Sequence, residues 1–267
     1  MRVPERRTDL VQGVWVSSLV SGPKEESARS GRPDVVMVHG LAVSNRYLRP
    51  ALLGLSDSYR VLAPDLPGVG RSSRAPSRLT VADLADGVAG WMDQVGVDRA
   101  VVVGHSLGCA LTAVLAERHP ARVVGIVLAS PAPDPALRPL LRQAWRLLLD
   151  APRERPSMVL LALADYLRVG PLWVLRAIKE ARREDPAAVL GQVRQPALVI
   201  RGGRDQLVSV GWVEGLVQVL PKAELVTITQ APHGLPYSAT APFVSANRDF
   251  LSRATGGRDD GVCSRHS

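Results

Sequence analysis

Val101-Val102-Val103-Gly104-His105-Ser106-Leu107-Gly108 is the stretch on which the reading of this chain turns. An apolar run of one strand's length ends at Gly104. An apolar stretch at helical spacing, Leu107 to Arg118, follows and stops before Pro120. A strand that turns into a helix within two residues carries Ser106 at the tip of a sharp bend. Small residues at Gly104 and Gly108 let strand and helix approach each other. The G-x-S-x-G pattern alone recurs by chance; the strand–turn–helix setting gives it meaning, because the bend lifts the Ser106 hydroxyl over the carboxyl ends of the strands.

Outward from that point the same rhythm repeats. Val35–Val38, Arg60–Ala63, Val124–Ala129, Ala197–Arg201 and Glu224–Thr229 are short Val/Ile/Leu runs, apolar on both faces, as buried parallel strands are. Helical stretches lie between them: Leu79–Val95, with Thr80 as its cap, and Val210–Leu220, ending at Pro221. Val11–Val20 alternates as an antiparallel edge strand does. The predicted fold class is α/β, a mostly parallel sheet flanked by helices. From Pro131 to Arg194 no strand-like run occurs, only helical stretches punctuated by prolines and rich in Leu, Trp and Arg. An ordinary crossover is far shorter, so this segment predicts a helical cap over one edge of the sheet. The predicted organisation is a core of residues 10–130 and 195–253, a lid of residues 131–194, and a disordered tail of residues 254–267.

Composition excludes several classes. No run approaches eighteen apolar residues, so no transmembrane span is predicted. Met1–Leu10 is charged and lacks the apolar segment of a secretory leader, so a cytoplasmic location is expected. The net charge of +8 rests almost wholly on arginines, with only Lys24, Lys179 and Lys222 as lysines. Because the arginines are scattered rather than clustered, no nucleic-acid partner is expected. Cys109, in a predicted helix, and Cys263, in the tail, are read as unpaired.

A serine hydroxyl at neutral pH needs a base within hydrogen-bond reach. Of five histidines, His266 lies in the tail and His119 ends a helix as a C-terminal cap. His39 ends a strand where its following backbone matters more than its ring, and the His105 ring, next to Ser106, is expected to point elsewhere. His233 remains, just past the last strand. Its other N–H needs an acceptor, and Asp205, after the penultimate strand and 28 positions earlier, reaches the same edge; Asp134 is the fallback. Acyl transfer also needs donors for a developing oxyanion: the backbone N–H of Leu107, and that of Leu41 in the loop after Val35–Val38. Trp145, Met158, Tyr166 and Trp173 either line an apolar substrate pocket or form the lid's own core.

Together these pieces resemble the α/β-hydrolase superfamily from about Val35 to Leu251. Val38-His39-Gly40-Leu41 looks like its oxyanion loop, Asp65-Leu66-Pro67-Gly68-Val69-Gly70-Arg71-Ser72 like its turn after the next strand, and Gly104–Gly108 like its nucleophile elbow. The resemblance implies nucleophile, acid and base roles for Ser106, Asp205 and His233, a small-molecule substrate, and no cofactor or metal. Relatives that dehalogenate or open epoxides use an aspartate nucleophile, so Ser106 argues against both. Carbon–carbon hydrolases of the family carry Asn before the serine and Trp after the histidine, where this chain has His105 and Gly234. Carboxylic-ester hydrolysis is the expectation. Lactone, thioester or carbon–carbon cleavage and perhydrolysis by the same triad stay open, as does a non-catalytic ligand-binding role; the oligomeric state is left open.

Overall fold

In the computed structural model, eight strands pair into one sheet in the order β1-β2-β4-β3-β5-β6-β7-β8. The residues described are 3–23, 32–40, 42–75, 79–132, 134–135, 140–181, 183 and 186–254; the predicted disordered tail therefore falls outside them, apart from Ala254. Six strands run parallel: β3 (Asp34–Val38), β4 (Val61–Pro64), β5 (Ala100–His105), β6 (Val123–Ala129), β7 (Ala197–Gly202) and β8 (Ala223–Ile228). The central strands β4, β5 and β7 are buried at every position, which is why they are apolar on both faces.

Two expectations about the sheet's edges need correction. The predicted single edge strand over Val11–Val20 is a hairpin, β1 (Glu5–Val11) and β2 (Val14–Ser21), joined by Gln12 and Gly13. Both turn residues have positive φ (48° and 83°), as the tight hairpin turn matched to strand twist requires. β1 is the true edge, and its charged sequence ERRTDLV concealed it: an edge strand tolerates charge because one of its sides faces water. The core thus begins at Glu5 rather than residue 10. At the other edge β8 is not buried on both faces, and its Leu225 remains exposed.

Helices cover both faces. α1 (Arg49–Leu55) and α9 (Thr240–Ala254) pack on one side with Leu52, Leu55, Phe243 and Phe250. α2 (Val81–Gln94), α3 (Gly108–Arg118) and α8 (Val210–Val219) pack on the other with Trp91, Met92, Leu115 and Leu216. Thr80 caps α2 as predicted. Its hydroxyl accepts the Asp83 N–H at 3.1 Å, and the Asp83 carboxylate accepts the Thr80 N–H at 2.8 Å.

Between β6 and β7 lie α4 (Leu140–Asp150), α5 (Pro156–Val169), α6 (Pro171–Ala181) and α7 (Pro186–Leu190), with no strand among the described residues. The first three form the cap. Beyond them the boundary differs from the prediction at residue 194, because Leu190 and Val193 are buried in the core cluster that contains Leu216. The cap is tied down through Asp165, 1% exposed, whose carboxylate accepts the backbone N–H and hydroxyl of Ser44 at 2.8 and 2.7 Å and pairs with Arg46. No single helix among the described residues is long and apolar enough to cross a membrane. Only α5 with the neighbouring Pro171–Glu180 reaches that composition, across a 94° bend.

Candidate active site

The elbow at the end of β5 is strained where the chemistry would need it. Ser106 has φ 54°, a left-handed conformation that side-chain-bearing residues seldom adopt. A Cβ on Gly104 would lie 2.6 Å from the Gly108 carbonyl oxygen. One on Gly108 would lie 2.6 and 2.7 Å from the carbonyl oxygens of Val38 and His39. Those are backbone atoms that cannot swing aside. Gly108→Ala is therefore expected to destabilise the fold by about 1–3 kcal/mol and to lower kcat through displacement of the His39–Gly40 segment, read by urea unfolding and steady-state kinetics together. An unchanged unfolding midpoint would contradict the packing argument.

Three side chains from separate loops converge at the carboxyl edge. His233 Nε2 lies 2.9 Å from Ser106 Oγ, and His233 Nδ1 lies 2.9 Å from Asp205 Oδ2. The second carboxylate oxygen of Asp205 accepts the N–H groups of Leu207 and Val208 at 2.7 and 3.2 Å, which locks the acid's orientation. Burial alone pushes the His233 imidazole toward neutrality. The facing Asp205 carboxylate outweighs it, with Asp150 and Glu154 behind, and raises the pKa to about 9. Burial likewise opposes charge on Asp205, yet its partnership with His233 holds it below the ordinary carboxylate value. Asp134, the fallback acid, instead accepts the Ser209 N–H at 3.0 Å.

Sequence reasoning underrated two histidine rings. The Leu66 N–H donates to His39 Nε2 at 2.8 Å, so the proton sits on Nδ1 and is donated to the Gly40 carbonyl, also at 2.8 Å. The Gly40 N–H donates to the Tyr47 hydroxyl at 2.8 Å. That hydroxyl donates onward to His105 Nδ1 at 2.8 Å, and His105 Nε2 donates to the His233 carbonyl at 2.9 Å. Gly40 is thus held on both sides, and the chain of bonds runs from the loop after β3 to the loop of His233. Both rings are neutral: burial lowers His39, and burial lowers His105 to about 3. The only sequence signal for Tyr47 is an aromatic residue soon after an HG dipeptide, too little to single it out. His119 is the C-cap of α3 as predicted, its N–H donating to the Leu115 carbonyl at 2.9 Å, and its ring in addition lies 2.7 Å from Asp86.

Leu107 is the N-cap of α3, at the helix end whose first N–H groups lack intrahelical acceptors and can serve an oxyanion. Leu41, the other chosen donor, lies outside the described residues. A cavity of about 660 Å³ adjoins Ser106 and His233, roofed by the cap. Met158 and Tyr166 line it, and Leu148, Leu163 and Leu175 line it while remaining at least half exposed. Trp173 instead lines a separate cavity of about 650 Å³ beyond Gly40 and Leu107. Trp145 is 60% exposed and lines neither of the two. Among the described residues no group of three or more His, Cys, Asp or Glu side chains is placed to hold a metal. Cys109 is buried beneath the elbow, and burial raises its thiol pKa, so it stays protonated.

The family model of the alpha/beta hydrolase fold matches residues 33–160. Over 84% of its length this chain is 30% identical to the protein named as carbamate hydrolase RutD from Caulobacter sp. (strain K31), of which it covers 92%. The chain belongs to the alpha/beta hydrolases. The hydrolase is also 28% identical, over 82% of its own length and 91% of the relative's, to the pimeloyl-[acyl-carrier protein] methyl ester esterase of Chromobacterium violaceum. Among solved structures it superposes on the enol-lactonase of Burkholderia xenovorans LB400 with a TM-score of 0.76, at 24% identity and over 92% of this chain and 100% of that one. A bacterial membrane phospholipase A superposes at 0.81 with 20% identity, over 94% and 86% of the two chains. These two superpositions concern the fold alone.

Proposed function

We propose that this hydrolase cleaves carboxylic esters through an acyl-enzyme. Ser106 attacks the ester carbonyl as His233 Nε2 takes its proton. Asp205 holds the imidazole tautomer and favours the imidazolium. The negative charge on the carbonyl oxygen meets the Leu107 N–H and a donor from the loop after His39. His233 returns the proton to the departing alcohol, then activates the water that releases the acid.

The observation that carries this reading is the unbroken relay of two 2.9 Å contacts, Asp205–His233–Ser106, opening into an apolar chamber. A chamber of this volume walled by Met158, Leu163 and Leu175 favours a lipophilic acyl group of small to moderate length. Two relatives, named as a methyl ester esterase and a carbamate hydrolase, would act on carbonyl centres bearing a heteroatom leaving group, in line with the ester reading.

A fluorophosphonate probe followed by peptide mass spectrometry tests the nucleophile; one adduct on Ser106 is expected. A series of p-nitrophenyl esters of increasing acyl length tests the chamber, with kcat/KM rising with chain length until it is filled. No adduct on Ser106, or ring-fission dienoates turned over faster than every ester, would overturn the assignment.

A further inference from the structure

The cap does more than roof the chamber. Asp150, at the end of α4 and 2% exposed, accepts the backbone N–H of His233 with one carboxylate oxygen at 3.2 Å and that of Gln206 with the other at 3.3 Å. Gln206 directly follows Asp205. One cap carboxylate therefore bridges the loop of the acid and the loop of the base, adding to the Asp205–His233 contact and to the Arg204 N–H that donates to the Ala231 carbonyl at 2.9 Å. Four residues on, Glu154 accepts the N–H of Gly234 and the hydroxyl of Ser238. Two successive N–H groups, of His233 and Gly234, thus end on cap carboxylates. Gly234 is where a side chain would have to compete, since a Cβ there would lie 2.8 Å from both Glu154 oxygens.

We propose that Asp150 and Glu154 are positioning residues, a clasp through which the seated cap sets the mutual geometry of Asp205 and His233 and supplies negative charge behind the imidazole. The inference rests on the triad reading given above. The imidazole bonds Asp205 and Ser106, whereas the two carboxylates take the backbone N–H groups of His233 and Gly234, so each acts through backbone and field. The charged and titratable groups facing His233 are Asp205, Asp150, Glu154 and the neutral His105 ring, 5.1 Å away between centroids. Burial raises Glu154 to about 7, so its charge varies near neutral pH, and burial also raises Asp150 above the ordinary carboxylate value.

Asp150→Ala, Asp150→Asn and Glu154→Gln in the full chain separate the two contributions. Asparagine keeps one acceptor and removes the charge. Asp150→Ala is expected to lower kcat about 10- to 100-fold with KM changed by less than about threefold, as misplaced catalytic groups do. In Asp150→Asn the acid limb of kcat/KM should move to lower pH by about half a unit or more, because a negative neighbour of the imidazolium is gone; Glu154→Gln should move it the same way. Fluorophosphonate labelling of Ser106 should slow in parallel with kcat, and thermal unfolding midpoints report any general loss of fold. An acid limb unmoved in Asp150→Asn, whatever the loss of activity or stability in Asp150→Ala, overturns the inference while a labelled wild-type Ser106 leaves the triad standing. A wild-type Ser106 that resists the probe overturns the triad, and the clasp with it.

Discussion

Ser106→Ala is expected to lower kcat by about 10⁶-fold, equivalent to roughly 8 kcal/mol of transition-state stabilisation. The size follows from the relay. Once the hydroxyl 2.9 Å from His233 Nε2 is gone, the imidazole has no nucleophile to deprotonate, and Asp205 has nothing to orient. The residual rate is what the oxyanion donors and substrate binding supply alone, about 10³–10⁴ over water in triads of this kind. The fold should survive: Ser106 is only partly buried, and alanine removes one hydroxyl without adding volume. Burst and steady-state kinetics on a p-nitrophenyl ester, alongside an unfolding curve, provide the check. Turnover within about tenfold of wild type in a folded variant would remove Ser106 from the chemistry.

Asp205→Asn should cost about 10⁴-fold in kcat, because an amide facing His233 Nδ1 no longer favours the tautomer that leaves Nε2 free to accept the Ser106 proton. It should also change the pH profile in a definite direction. In the proposed mechanism His233 acts as a neutral base, so kcat/KM should rise with pH through its pKa, which in the intact enzyme stands above the ordinary 6.5, at about 9. Removing the carboxylate removes what raises it, and the acid limb moves to lower pH. Stability follows the same linkage. The raised His233 pKa contributes stability that is whole below pH 6.5 and lost as the pH climbs toward 9. The depressed Asp205 pKa contributes stability that is whole above 3.8 and lost as the pH falls through its folded value. Between those limits the pair stabilises most, and thermal unfolding of the variant should lose that pH dependence. A variant whose acid limb stays where the wild type's lies would show that Asp205 does not set the basicity of His233.

Elements whose cause is local can be read from the residues alone. The buried strands are legible because a strand covered on both faces must be apolar throughout, and α2 because Thr80 and Asp83 cap it within four residues. The elbow is legible because strand and helix cannot meet there without Gly104 and Gly108. Ser106, His233 and Asp205 could be named since each follows a strand end, and all parallel strands end at one edge. Edges misled, since β1 and β8 face water and their residues record solvent as much as the core. The rest comes from contacts between distant segments. That Tyr47 ties Gly40 to His105, that Trp145 faces solvent while Tyr166 lines the chamber, and that Asp150 joins the Gln206 and His233 backbones are contacts between segments up to 83 residues apart. No periodicity encodes such contacts. They follow from how the cap seats on the sheet, where a carboxylate leaves water only if backbone N–H groups of another segment arrive to receive it.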